Sequence, residues 1–209
     1  HHQIFVPDDA PLAAVAAVAA VVGFTTTNNN AKATISAGDG AEIVNQSGDI
    51  NIATRSDGTI SASNTGLTGA IGAGTTQATA NNTPTQAINI DGSQLRGRNI
   101  RLWSGLGNDG VPNVLITTAE SNVSAVIAGV TVPQARTTTA DTNSINISNS
   151  AQLLARNNID LQAQRNFIGD QGNSRSISNA EVRVLSFIPI PGTESATDKT
   201  NNSSTIDSS

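Results

Sequence analysis

The chain has 209 residues, long enough for one large all-β domain or two ordinary ones, and its 37% hydrophobic content permits only a lean core. With one Trp, four Phe and no Tyr it lacks the rings that usually fill the centre of a compact globular enzyme, and the absence of Cys excludes a disulfide framework or a thiolate metal site. The net charge of −5 is spread along the chain, so there is neither a basic stripe for a nucleic-acid backbone nor a cationic amphipathic helix for a membrane surface.

The first residues, HHQIFVPDD, lack a basic region followed by an apolar one, so no signal peptide is read there. His1 and His2 are the chain's two histidines, and a metal site needs more converging ligands; they read as a flexible end or tag remnant. Residues 4–6 predict a strand closed by Pro7. Residues 10–24, APLAAVAAVAAVVGF, are shorter than the ~20 needed to span a bilayer. Their Ala and Leu content allows a helix. A buried strand with a turn is preferred, because the corresponding later segments are rich in Val, Ile and Gly.

From residue 33 onward a cassette recurs. Its first copy, 33–54, carries Ile35, Ile43, Ile50 and Ile52. The second, 87–104 (AINIDGSQLRGRNIRLWS), carries Ile88, Ile90, Leu95, Ile100 and Leu102. The third, 144–163, carries Ile145, Ile147, Leu153, Ile159 and Leu161, and a fourth begins near 205 with Ile206. Polar positions match too: Gln94-Leu95 against Gln152-Leu153, and Arg98-Asn99 against Arg156-Asn157. Ile43, Leu95 and Leu153 are 52 and then 58 residues apart, a period of about 55. The intervals correspond as well, each a small-apolar run followed by a Thr/Asn tract (67–74 then 75–85; 123–132 then 137–143; 182–190 then 199–205). The chain enters and leaves out of phase with its repeat, which predicts a single segment, 1–209, of a longer array.

Aliphatics at every second position put one face of each short strand inward. Such strands cannot make a sheet alone; stacked copies can. The expected fold is therefore all-β, a parallel β-helix. Three short strands within a cassette would make one triangular coil and the interval another, about two coils per ~55-residue repeat and a body ~35–40 Å long. Stacked Asn side chains at the corners are expected to form hydrogen-bonded ladders.

The pattern INIxxxxxLxxxxNIxLxA, with its small-residue interval and Thr/Asn tract, resembles the repeats of large bacterial filamentous adhesins, the filamentous-haemagglutinin-like and leukotoxin-type filamentous proteins. The resemblance covers about residues 10–209. It implies a β-helical rod exported to the cell surface or beyond, used in adhesion or as an extracellular fibre. On that reading the partners are other copies along the rod, and surface glycans or a host or neighbouring cell surface. No nucleic acid is expected, and no membrane span within this segment. The alternatives are a carbohydrate-binding or carbohydrate-cleaving β-helix fragment, and a trimeric autotransporter head suggested by AIGAGTTQATANN.

No catalytic residue, cofactor or metal site is expected. Four Asp-Gly pairs (39–40, 57–58, 91–92, 109–110) hint at calcium, but neither the G-G-x-G-x-D nonapeptide nor an EF-hand loop occurs, and turns explain them. The candidates for surface contact are what does not recur. Arg96, Arg98 and Arg101 form a basic patch, with Arg156 and Arg165 nearby. Trp103 follows the inward Leu102 and so points outward, unless the loop 105–112 folds over it.

Overall fold

The computed structural model describes residues 2–6, 12–14, 18–68, 71–125, 128–163, 174–184 and 195–208. It is all-β, and no helix occurs among the described residues. In chain order the strands are β1 (His2–Val6), β2 (Leu12–Ala14), β3 (Val18–Asn29), β4 (Lys32–Ala37), β5 (Glu42–Val44), β6 (Ile50–Thr54), β7 (Gly58–Thr68) and β8 (Ile71–Asn82). There follow β9 (Thr85–Asp91), β10 (Gln94–Ser104), β11 (Leu115–Ala125), β12 (Ala128–Ser148), β13 (Gln152–Ala163), β14 (Arg175–Val184) and β15 (Ser195–Ser208). The described part of 10–24 is thus strand, as preferred over helix, and His2 lies in β1.

The strands form three parallel sheets. In the first, β1 and β2 share the edge of β7, followed by β11 and β14. In the second, β3–β4 lie against β8–β9, then β12, then β15. In the third, β5 and β6 lie on β10, then β13. The chain visits first, second and third sheet in that order and then repeats. Cassette positions face their counterparts: Ile35, Ile88, Ile145 and Ile206 are successive partners across the second sheet, and Ile43, Leu95 and Leu153 across the third.

This register corrects the expectation of two coils per repeat. Each repeat crosses each sheet once, so four strand layers at ~4.8 Å span about 15 Å, not ~35–40 Å. Two local features explain the difference. Leu95 and Ile100–Leu102 share the single strand β10: positive φ occurs at Gly92 and Gly105, which bracket it, while the irregularity between Gly97 and Asn99 is a bulge and not a corner. And the Thr/Asn tracts are long strands whose alternate residues point inward.

The interior is consequently of two kinds. Between the second and third sheets, Ile88, Ile90, Leu95, Ile100, Leu102 and Ile145 form a fully buried aliphatic cluster, each side chain contributing about 2–3 kcal/mol of apolar burial. Between the first and second sheets Ile60, Leu115 and Val123 are buried among many small or polar residues: Ala62, Ala78, Ala80, Ala119 and Ala135, with Thr76, Thr117, Ser121 and Thr139. Buried hydroxyls need partners, and here they pair across the gap. Thr76 Oγ1 and Ser121 Oγ lie 2.7 Å apart, and Thr139 Oγ1 donates to Thr117 Oγ1 at 2.7 Å. Side chains that short let the sheets approach closely. Stacked Asn pairs are present, but along the second sheet and not at the corners: Asn29 Nδ2 donates to Asn82 Oδ1 at 2.9 Å in the interior, and Asn81 to Asn28 and Asn146 to Asn89 on the outside, both at 2.8 Å. On the outermost strands the same core columns are half exposed, at Ile35, Ile43, Ile159 and Ile206.

Candidate functional site

The sequence candidates lie on the outer face of the third sheet. Along β10 the residues Leu95, Gly97, Ile100 and Leu102 are buried, while Arg96, Arg98 and Arg101 are exposed and Trp103 is half-buried. The bulge lets Arg98 and Asn99 both face outward before the alternation resumes with Ile100 inside. Gly97 stands where an added Cβ would meet Ile50 Cγ1 at 3.2 Å and the Gly48 carbonyl oxygen at 3.3 Å.

The three arginines separate into different environments. Arg98 is engaged in structure: its Nε donates to Asp49 Oδ1 at 2.9 Å, and Asn99 Nδ2 donates to the same oxygen at 2.8 Å. The hydrogen bonds from Arg98 and Asn99 hold the Asp49 carboxyl below its usual range, and the bond to Asp49 raises the Arg98 guanidinium above its own. Asp49 ends the turn in which Asn45 Oδ1 accepts from the Gly48 N–H, so Arg98 ties β10 to that turn. Arg96 is exposed between its strand partners Val44 and Leu154, themselves 45% and 42% exposed.

Arg101 sits over the Trp103 ring, 5.6 Å from its centroid, within cation–π range. Trp103 Nε1 donates to Asp160 Oδ2 at 3.0 Å, and Gln162 Nε2 donates to Asp160 Oδ1 at 3.0 Å. Asp160 is the strand partner of Arg101, so this cluster crosses from β10 to β13. The 105–112 loop reaches the ring's edge through Asn108, which lines a small recess with Arg101, Trp103, Asn51 and Ile52. Trp103 is outward, as alternation predicts, and partly flanked by that loop. A larger surface cavity of about 210 Å³ opens beside it, lined by Asn99, Ile100, Arg101, Asn158 and Asp160. Arg156 is exposed on the same face, and Arg165 lies outside the described residues.

The Asp-Gly pairs serve turns and strand ends. Gly40, Gly92 and Gly110 have positive φ, and Asp57 Oδ1 accepts from the Val114 N–H at 2.9 Å and from Arg55 Nε at 3.0 Å. Among the described residues no group of three or more His, Cys, Asp or Glu is placed to hold a metal ion, and no helix is long and apolar enough to cross a membrane.

Sequence reasoning missed two features. Phe24 and Val22 stand outward on β3, 66% and 59% exposed; counting alternation back from the inward Thr25 would have found them. It also missed a buried polar cluster. Asn113 Nδ2 donates to Gln86 Oε1 at 3.1 Å and to Asp141 Oδ1 at 3.0 Å, and Asn143 Nδ2 donates to Asp141 Oδ2 at 2.9 Å. All four residues are almost wholly buried, and 28 residues separate Asn113 from Asp141, so no local pattern announces it. No family model, curated protein or solved structure matches this chain.

Proposed function

We propose that the chain is a parallel β-helical segment of a secreted bacterial surface filament, acting by fibre formation and multivalent contact with surfaces. The observation that carries this reading is the register. The column Ile35–Ile88–Ile145–Ile206 and the recurring order of three parallel sheets are the pattern expected of one coil stacked on the next. Each coil then binds only its neighbours, and lengthening the stack needs no new kind of contact. The polar ladders at Asn28–Asn81, Asn89–Asn146 and Gln94–Gln152 add a repeating exterior suited to contact at many equivalent points. This reading places the protein outside the cell, as the repeat resemblance implies.

Electron microscopy of the native material tests it. Unbranched fibres a few nanometres wide are expected. Compact, monodisperse particles would refute the reading.

A further inference from the structure

We propose that the outer face of the third sheet is a binding strip for a carboxylated polysaccharide, with Arg101 and Trp103 as its centre; the inference rests on the extracellular reading above and assigns it a ligand class. The chain carries a net charge of −5, yet this face presents Arg96, Arg98, Arg101 and Arg156 against three carboxylates, Glu42, Asp49 and Asp160. One arginine, Arg98, is taken by Asp49. The other three are exposed, and Arg101 borders a cavity of about 210 Å³.

The chemistry of that cavity selects its occupant. Arg101 offers a planar fork that matches a carboxylate in two hydrogen bonds. Asn99 and Asn158, strand partners across β10 and β13, offer amide donors and acceptors for hydroxyls, and Asp160 offers acceptor oxygens. Trp103, fixed by its bond to Asp160, supplies an apolar edge next to the same guanidinium. Donors, acceptors and one cation in a sugar-sized recess suit a ring that bears both hydroxyls and a carboxylate.

The interspersed carboxylates argue against a denser polyanion. A nucleic acid or a highly sulfated chain would bring several negative charges against Asp160 and Glu42. A single aromatic is also not the succession of stacking platforms that single-stranded nucleic acid requires. Arg96 precedes the bulge on β10 and Arg156 stands opposite it on β13, between the partners of Gly97 and Asn99, so both extend the strip from Arg101 in one direction and are placed to meet the carboxylates of neighbouring sugars along the polymer.

Trp103 is the chain's one Trp, and Tyr is absent, so Trp-selective fluorescence reports this site alone. The full chain is titrated with polygalacturonate, and with neutral dextran, heparin and single-stranded DNA at matched ionic strength. A saturable spectral change with polygalacturonate, absent with dextran and weakened by added salt, is expected. Arg101→Gln is expected to weaken binding by about 10- to 100-fold, the loss of a charge-assisted pair. Arg156→Gln, further from the cavity, is expected to weaken it several-fold, and circular dichroism checks that both variants keep the fold. No response to polygalacturonate, equal response to dextran, tighter binding of heparin or DNA, or unchanged binding by both variants would overturn the proposal. Microscopy of the same sample separates the two ideas: fibres without polygalacturonate binding sink this inference alone, and binding without fibres sinks the filament reading alone.

Discussion

Replacing Ile88 with Ala tests the stacked core most directly. Ile88 is fully buried in the middle of its column, with Ile35 on one side and Ile145 on the other. Removing three carbons forfeits roughly 2.4 kcal/mol of transfer free energy at about 0.8 per carbon. The cavity term comes on top, and here it is hard to relieve. The backbones of β4, β9 and β12 are held by ladder hydrogen bonds at ~4.8 Å, so neighbouring layers cannot sink into the gap. The total is expected near 4 kcal/mol, in the upper part of the range for buried Ile to Ala. Ile35→Ala is the control, with the same residue in the same column but 39% exposed on β4 at the edge of the sheet. Its cost is expected at about 1 kcal/mol. For a chain of this size the thermal midpoint falls by about 2–4 °C per kcal/mol, so Ile88→Ala should melt about 8–16 °C lower and Ile35→Ala about 2–4 °C lower. Thermal melts followed by circular dichroism measure both. Equal shifts, or a larger one for Ile35→Ala, would refute the stacked-column account.

Three other tests address the polar parts. Asp141→Ala removes the carboxylate that accepts from buried Asn113 and Asn143, leaving donors without that acceptor; a loss of about 3 kcal/mol in urea denaturation is expected, against near zero for the exposed Thr142→Ala. Gly92→Ala places a Cβ 2.6 Å from Asp39 Oδ1 at φ +57°, whereas at Gly110 (φ +75°) nothing lies within 4 Å. The first is expected to cost about 3 kcal/mol and the second about 1, read from urea midpoints. Asp49 has its pKa depressed by Arg98 and Asn99, so its contribution is present above the unfolded value near 3.8 and is lost as pH falls through the lower folded value. In Arg98→Ala an NMR titration should find the Asp49 pKa returned toward 3.8; an unchanged titration would show that Arg98 does not set it.

The candidate site was legible only as a set of residue types. Alternation from Leu102 suffices to put Trp103 outside, and the failure of Arg96, Arg98 and Arg101 to recur as a group marks them as unneeded by the core. Nothing in the spacing distinguishes Arg98 from Arg101. Their roles diverge because Asp49 arrives from the turn before β6 and Asp160 from β13, on opposite sides of β10. The Thr/Asn tracts misled for a related reason. Their Asn content suggests corners, yet Thr76, Asn82, Thr137 and Thr139 are buried within strands. A hydroxyl or amide is tolerated inside when a partner lies opposite, and the partner is supplied by another sheet.

Composition and period alone determined that this protein is all-β, poor in rings and built on a repeat of about 55 residues, because a two-residue alternation of Ile and Leu has one geometric meaning. They also selected the residues that pair across the sheets, since like side chains recur at each pass. How many times a repeat crosses each sheet was decided only by the tertiary structure. That number depends on where the chain bends: it does so at Gly92 and Gly105, both at positive φ, and not at Gly97, which lies inside β10. The same holds for the two interiors, one aliphatic and one where small and aliphatic side chains mix with hydroxyls and amides. Buried pairs such as Thr76–Ser121 and Thr139–Thr117 are stable because partners distant in sequence are brought within hydrogen-bond reach when the sheets close.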